Sequence, residues 1–217
     1  MPVGLPEFFD NPENRCPVVL LLDTSGSMAG EPIQELNRGV ALFREEILRD
    51  ATASLRVEVA IISFGPVQLV QDFTTIDMFN PPIFEAQDVT PMGQAIEFGL
   101  DLLEKRKATY RANGIQYYRP WMFLITDGAP TDSWQNAARL VRDAEAKKRI
   151  SFFAVAVEGA DTTILRQIAP PHRPPMKLKG LNFRELFLWL SHSLCSVSRG
   201  NINDPITLPS VGWGTIT

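Results

Sequence analysis

The 217-residue sequence predicts an α/β fold in which helices flank a doubly wound, mostly parallel sheet of about six strands. Residues 18–22 and 121–125 are unbroken apolar runs, which is typical of strands that helices cover on both faces. Amphipathic helical patterns alternate with such runs along the chain. Because 45% of the residues are hydrophobic, the chain can fill one sizeable core, and we expect a single domain.

The amino-terminal half begins with a strand, a loop and a helix. Residues 17–23 form the predicted central strand, and Pro32 occupies a first-turn position of the following helix. Residues 56–64 and 67–73 are two further predicted strands, and only Gly65-Pro66 separates them, so they form an antiparallel hairpin that contributes one sheet edge. The apolar residues of the helix recur at steps of three and four: Ile33, Leu36, Val40, Phe43 and Ile47.

The remaining elements repeat the alternation of strand and helix. Asp132 and Gln135 resemble a capping box ahead of one of the helices, so Asp132 is interpreted as its N-cap. The alternative, because Asp127 is close in sequence, is a supporting role beside metal ligands. The predicted elements are helix 92–110, strand 121–126, helix 133–148, strand 150–157, short helix 162–168, a possible edge strand at 176–178 and a last amphipathic helix at 183–195.

Changes in composition divide the chain into an amino-terminal extension (residues 1–16), one domain (residues 17–196) and a carboxyl-terminal tail (residues 197–217). The tail is rich in Gly, Pro and polar residues. Its apolar side chains are expected to pack back on the domain, and the alternative is a partner-binding segment. These side chains are Ile202, Ile206, Leu208, Val211 and Trp213.

Charge and composition exclude several classes of function. A net charge of −4 provides no electrostatic footprint for nucleic acid or an anionic membrane. The apolar runs are shorter than the ~20 residues that a membrane span needs, and the first residues show no secretion leader, so we expect a cytoplasmic location. Cys16 and Cys195 lack metal-ligand spacing and are interpreted as reduced structural thiols.

The remaining charged and titratable residues favour ordinary structural roles. His172 and His192 have no partner at ligand spacing, so both are interpreted as surface or packing residues. The basic runs at 105–107 and 147–149 lie near predicted helix C-termini, where cations offset the helix dipole. We therefore expect both runs to be solvated helix ends.

Short oxygen-bearing side chains occupy three loops. Asp23, Ser25 and Ser27 alternate directly after the first strand, Thr90 precedes a helix, and Asp127 ends another strand. In doubly wound sheets, ligand sites lie at the carboxyl ends of the strands. A set of oxygen ligands without His or Cys suits a hard cation, with Mg²⁺ as first choice, Mn²⁺ as second, and Ca²⁺ as a further alternative.

The order DxSxS, then Thr, then Asp resembles the metal-ion-dependent adhesion site of the von Willebrand factor A family, and the resemblance covers residues 17–196. It implies that Ser25, Ser27 and Thr90 coordinate the cation directly or nearly so. It implies also that Asp23 and Asp127 ligate it or hold its waters. In such a site an Asp or Glu carboxylate of a protein partner completes the coordination shell, and the domain binds rather than catalyses.

A narrower resemblance rests on DTSGSMAGEPI, VTPMGQAI and TDGAPTD. These segments are similar to those of stand-alone bacterial members associated with tellurium resistance. That resemblance implies a cytoplasmic stress complex with a kinase-like and a phosphatase-like partner.

Two other functions compete with a binding module. The first is a metal-dependent phosphoryl-transfer hydrolase with Asp23 as nucleophile, but such enzymes usually carry a second Asp where this chain has Ser25, a poor general acid or base. The second is an adaptor subunit of a chelatase-like ATPase. The chain contains no GxxxxGK[ST] motif, so nucleotide chemistry would reside on a separate protein.

Overall fold

The computed structural model describes residues 5–87, 89–202 and 208–216, which form an α/β fold around one sheet. Seven strands lie in the order β3-β2-β1-β4-β5-β6-β7; the inner five are parallel, and the two edge strands are antiparallel to their neighbours. The strands are β1 (Cys16–Asp23), β2 (Val57–Phe64), β3 (Val67–Thr75), β4 (Trp121–Thr126), β5 (Ser151–Ala156), β6 (Met176–Leu178) and β7 (Gly214–Ile216).

Helices cover both faces of this sheet. The close approach of two of them depends on Gly39, because a Cβ there would lie 2.3 Å from Cδ2 of Phe187. The α-helices of the described ranges are α1 (Pro6–Asp10), α2 (Glu31–Leu48), α3 (Ala51–Arg56), α4 (Met92–Ala112), α5 (Gln135–Ala146), α6 (Thr162–Ile168) and α7 (Phe183–Arg199).

Alternate residues of the central strands belong to two separate cores. In β1, Val18 and Leu20 pack with apolar side chains of α2 and α7, whereas Val19 and Leu21 pack with those of α4, α5 and α6. Successive side chains of a strand point to opposite faces, so a strand between two helix layers must be apolar throughout. This explains why β1, β2, β4 and β5 lack the polar alternation of a half-exposed strand.

The predicted fold is confirmed, with seven strands instead of about six. The additional strand, β7, comes from the tail and pairs with β6, so the prediction that residues 176–178 form a sheet edge is wrong. Trp213 anchors the tail, since it is 2% exposed and its ring lies 5.8 Å from that of Trp189. The Trp189 indole donates a hydrogen bond to the Pro209 carbonyl (2.9 Å).

The tail therefore packs on the domain at the positions that the structure describes. Ile202 and Leu208 are partly buried against the core, Val211 is exposed, and Ile206 lies outside the described residues. The packed unit extends beyond residues 17–196 on both sides. At the amino-terminal side, Phe8 of α1 is buried.

The expectation of a solvated basic run at residues 105–107 is wrong for two of its three members. Lys107 is buried, and Arg106 pairs with both Glu7 (2.8 Å) and Glu58 (2.8 Å). The cause is the burial of Glu58 at the beginning of β2, since a buried carboxylate requires cationic partners. Arg15 supplies a second one, from Nε to Oε1 at 2.7 Å.

Other expectations on individual residues agree with the structure. Cys16 and Cys195 are free thiols, and burial is the main cause that raises their pKa values to about 12 and about 11. His172 is 60% exposed. In the described ranges, no helix is both long enough and apolar enough to cross a membrane.

Candidate metal centre

The loop after β1 is organised by the carboxylate of Asp23, which is fully buried. Its Oδ1 accepts a hydrogen bond from the Ser25 backbone N–H (2.8 Å), and its Oδ2 accepts one from the Thr126 hydroxyl. A 3-10 turn at Gly26–Met28 follows and leads the chain towards α2. Asp23 thus fixes the turn that presents the two serine side chains.

Ser25, Ser27 and Asp127 form a continuous hydrogen-bonded chain of side chains. The Oγ atoms of Ser25 and Ser27 are 3.1 Å apart, and the Ser27 hydroxyl donates to Oδ1 of Asp127 at 2.7 Å. Ser25 and Asp127 are buried, whereas Ser27 is exposed. The group is therefore open to solvent on the Ser27 side.

Thr90 reaches the same place from the loop before α4. A Cβ placed on Gly128 would lie 3.6 Å from Oγ1 of Thr90 and 3.9 Å from Oδ2 of Asp23, so both oxygens lie around one point. Thr131 fixes the Thr90 backbone, because its hydroxyl accepts from the Thr90 N–H (3.1 Å) and its own N–H donates to the Thr90 carbonyl (2.9 Å). The structure thus brings all five predicted side chains together.

The prediction that Asp132 caps the helix that follows it is wrong. Helix α5 begins at Gln135 without a side-chain cap. The Asp132 carboxylate instead accepts hydrogen bonds from the backbone N–H groups of Gly93 (2.9 Å) and Gln94 (2.8 Å), in the first turn of α4. The physical reason is that α4 has no side-chain cap of its own, so its orphan donors take a partner from another loop.

Several residues that hold this site were not identified from the sequence. Thr126 and Thr131 act through side-chain hydroxyls on Asp23 and Thr90, and two glycines allow close backbone contacts. A Cβ on Gly93 would lie 2.3 Å from the Ser133 carbonyl oxygen, and one on Gly65 would lie 2.5 Å from Oγ1 of Thr24. Thr126 had a usable signal, because it directly precedes Asp127 at the end of a strand.

The electrostatics of the site favour an added positive charge. Burial raises the pKa of Asp23, and the charge of Asp127 raises it further; burial likewise raises the pKa of Asp127. In the part of the chain that the structure describes, neither carboxylate forms an ion pair with a basic side chain. The donor set of two carboxylates and three hydroxyls fits a hard divalent cation such as Mg²⁺, which prefers oxygen ligands.

This combination of a doubly wound sheet and an oxygen-lined loop cluster at the carboxyl ends of β1 and β4 defines the class of protein. Residues 18–185 match the family model of the von Willebrand factor type A domain, and the chain belongs to that family. Comparison with curated protein sequences gives no significant match.

Solved structures show the same fold at low sequence identity. SpaC, a pilus adhesin of Lactobacillus rhamnosus GG in its open conformation, has a TM-score of 0.66 and 16% identity over 85% of this chain and 30% of its own. The proximal thread matrix protein 1 of the mussel byssus has a TM-score of 0.55 and 17% identity over 84% of this chain and 48% of its own. The ArnB paralog VWA2 of Sulfolobus acidocaldarius has a TM-score of 0.55 and 16% identity over 84% of this chain and 45% of its own. The chain thus spans less than half of the length of each of these proteins.

Proposed function

We propose that this chain is a protein-interaction module whose contact with its partner depends on a divalent cation held by Asp23, Ser25, Ser27, Thr90 and Asp127. Domains of this family commonly mediate protein–protein interaction or adhesion. The observation that carries the proposal is the convergence of these five oxygen-bearing side chains where Ser27 is exposed. Mg²⁺ is the expected ion, with Mn²⁺ and Ca²⁺ as alternatives.

The five side chains have different tasks in this proposal. The hydroxyls of Ser25, Ser27 and Thr90 are ligands without charge, so they leave the ion under-neutralised. Asp23 uses both oxygens in hydrogen bonds and serves to orient the loop, while Asp127 lies beside the exposed hydroxyl. When bound, the cation supplies positive charge at the surface, and an Asp or Glu carboxylate of the partner offsets it.

The residues beside Asp23 argue against the phosphoryl-transfer reaction. A nucleophilic Asp23 needs a general acid or base nearby, but the position two residues on, which such enzymes usually fill with a second Asp, is Ser25. Asp23 is also fully buried. We therefore propose a binding function without catalysis by this chain.

The cellular setting rests on the narrower sequence resemblance. It supports a cytoplasmic stress complex related to tellurium resistance, with a kinase-like and a phosphatase-like protein as partners. Mass spectrometry of captured proteins tests this setting separately from the metal site. Capture of a large ATPase instead would replace this setting with the chelatase-like one.

A capture experiment with and without metal tests the proposal. The immobilised chain is exposed to lysate of the source cell in Mg²⁺ or in EDTA, and we expect specific partners only in Mg²⁺. Thr90→Ala removes one neutral ligand without changing the charge, so it should weaken Mg²⁺ binding and partner capture while the domain stays folded. Thr52→Ala, at an exposed position of α3, is the matched control. Equal capture in Mg²⁺ and EDTA would sink the proposal.

A further inference from the structure

A second charged cluster lies at the amino ends of β4 and β5, whereas the candidate metal centre lies at the carboxyl ends of the strands. Its centre is the carboxylate of Glu145, which is 3% exposed. This carboxylate accepts from Arg119 Nη2 (2.5 Å), from Nη1 of Arg173 and from the Phe152 backbone N–H (2.5 Å). His172 Nε2 lies 3.5 Å from it.

Among the residues that the structure describes, positive charge exceeds negative charge in this cluster. Arg119 and Arg173 share the single carboxylate of Glu145, and the exposed Lys148 makes no ion pair with a described residue. Arg173 uses Nη1 for its hydrogen bonds to described residues, and within the described ranges its other N–H groups have no acceptor. Burial lowers the pKa of Arg173, the charge of Glu145 raises it, and the charge of the neighbouring Arg119 lowers it. An anion beside the two guanidinium groups would offset their repulsion.

The cluster borders a cleft of about 450 Å³, a volume within the usual range for sites of small organic ligands. Arg173 lies over the ring of Phe153, with Cζ 4.6 Å from its centroid. The side chains that line this Glu145 cleft combine cations with aromatic and apolar surface, and they include Arg119, Lys148, Arg173, Tyr118, Trp121 and Phe153.

We propose that the Glu145 cleft binds a small organic oxyanion, a phosphate or carboxylate group carried on a flat ring. The N–H groups of Arg173 that have no acceptor among the described residues and the ammonium of Lys148 bind the oxyanion. The ring packs on the apolar lining of the cleft, which Val197 and Leu208 share with the nearly fully buried Trp121 (5% exposed) and Phe153 (4% exposed). Lys148 holds the left-handed position (φ 54°) that ends α5, where its N–H donates to the Glu145 carbonyl (2.9 Å) and the Arg149 N–H donates to the Ala144 carbonyl (2.8 Å). Its side chain lines the cleft.

A purely structural role explains less of this arrangement. Glu145 with Arg119 is sufficient to join α5 to the strand β4, because Arg119 also donates to the Ile150 carbonyl. The side chain of Lys148 adds nothing to that contact, and part of the Arg173 guanidinium has no partner among the residues that the structure describes. The structural hypothesis therefore assigns no role to Lys148 or to the remaining N–H groups of Arg173, whereas the ligand-binding hypothesis assigns a role to both.

The experiment measures the binding of phenyl phosphate and of benzoate through the shift of the NMR signal of the Trp121 indole N–H. Inorganic phosphate, an anion without a ring, and benzyl alcohol, a ring without an anion, are the controls. It is carried out in EDTA, so that the candidate metal centre has no influence. We expect at least one ring-bearing anion to bind with a dissociation constant of about 1 mM, as ligands of this size do. If only phenyl phosphate shifts the signal, the anionic group of the ligand is a phosphate; if only benzoate does, it is a carboxylate. Inorganic phosphate and benzyl alcohol should each bind more weakly than the ring-bearing anions.

Three variants make the result specific. Lys148→Gly should weaken binding about tenfold without lowering the thermal midpoint, because Gly fits the positive φ. Arg173→Lys should weaken it by a similar factor. Arg184→Ala, about 20 Å away along α7 from the cleft residue Val197, should leave it unchanged. The proposal is overturned if no ring-bearing anion shifts the signal, if inorganic phosphate binds as tightly as phenyl phosphate, or if Lys148→Gly and Arg184→Ala bind alike.

Discussion

The two oxygens of the Asp23 carboxylate have different partners, and this explains how a buried acid is tolerated beside a second one. The Ser25 N–H and the Thr126 hydroxyl both lower the pKa of Asp23 against the larger effect of burial, which raises it. Each donor stabilises the ionised form that a cation needs. Thr126 therefore supports the site without being a predicted ligand.

Thr126→Val is the variant that isolates this support, since it keeps the shape and removes the hydroxyl. Removing one donor to a buried acceptor should cost about 1–3 kcal/mol of unfolding free energy and weaken Mg²⁺ binding. Urea unfolding and calorimetric titration with Mg²⁺ measure both effects. Thr163→Val, at an exposed position of α6, is the control. Unchanged Mg²⁺ affinity in Thr126→Val would contradict this role.

The raised pKa values of Asp23 and Asp127 have a consequence for the metal-free protein. Between the ordinary value of 3.8 and the raised folded-state values, the folded chain binds more protons than the unfolded chain. Stability from these groups is therefore present at low pH and is lost as pH rises through that window. Asp127→Asn removes one of the two charges.

We expect Asp127→Asn to gain stability relative to the parent as pH rises from about 4 to about 7 in EDTA. The difference between the two proteins isolates this residue from other acids, such as Asp143, whose pKa is lowered by Lys147. Urea unfolding at several pH values measures it. A difference that is constant or falls with pH would show that Asp127 is not destabilised by ionisation.

Helix α4 is the element that links the candidate ligand Thr90 to the rest of the fold. Its first turn is capped by Asp132 from the loop after β4, and Thr131 of the same loop holds the backbone of Thr90. One short segment thus fixes both the helix entrance and the threonine. The position of Thr90 should depend on this loop.

Asp132→Ala should lower stability by about 1 kcal/mol, as loss of a helix cap usually does, and should also weaken Mg²⁺ binding. Asp50→Ala is the matched control, because Asp50 caps α3 by accepting from Thr52 and Ala53 N–H groups at the other edge of the sheet. The control should lose stability without losing Mg²⁺ affinity. If both variants bind Mg²⁺ like the parent, the cap does not position Thr90.

The sequence predicted elements whose pattern is local and left out those that depend on distant partners. Strand β4 and helix α6 were predicted with their observed bounds, because an apolar run and its flanking polar residues lie within a few positions. The short helices α1 and α3 and the strand β7 were not predicted. Each is stabilised by packing or pairing with residues far away in the chain, and short segments carry weak patterns.

The same distinction applies to the candidate metal centre. Its five oxygen-bearing residues could be named because each follows a strand or precedes a helix, and carboxyl ends of parallel strands share one edge. The hydrogen-bond partners of the Asp132 carboxylate could not be predicted, because Asp132 is close to α5 in sequence but accepts hydrogen bonds from the first turn of α4. The half-buried Arg106 was likewise assigned to solvent because its partner Glu58 is distant in sequence.

The molecule as a whole is a sheet between two apolar cores, extended at one edge by its tail. Trp213 packs on Trp189 of α7 and lies 2% exposed, so the tail contributes to the core that contains α2 and α7. The candidate metal centre draws its residues from other loops. Tail packing and metal binding should therefore be separable.

Trp213→Ala should destabilise the protein by about 3–5 kcal/mol, the usual cost of removing a large buried aromatic side chain. Mg²⁺ affinity measured on the folded fraction should stay at the parental value. Val211→Ala, at an exposed position in the same tail, should change stability by less than about 0.5 kcal/mol. A Trp213→Ala protein as stable as the parent would mean that the tail is not part of the folded unit.

The existence of the cation site is tested most directly by thermal melts of the parent and Asp127→Ala in EDTA and in Mg²⁺. Without metal, two like charges face each other, so Asp127→Ala should be as stable as the parent or slightly more stable. Asp77→Ala, which removes an exposed carboxylate, is the control variant, and Ca²⁺ and added NaCl test for nonspecific salt effects.

In Mg²⁺ at ~100 times its dissociation constant, the parent should gain about 2.7 kcal/mol, whereas Asp127→Ala should gain much less. Asp77→Ala should gain as much as the parent. The parent should therefore be no more stable than Asp127→Ala in EDTA and clearly more stable than Asp127→Ala in Mg²⁺. A parental midpoint that does not respond to Mg²⁺, or an Asp127→Ala protein that is already unfolded in EDTA, would contradict the proposed site.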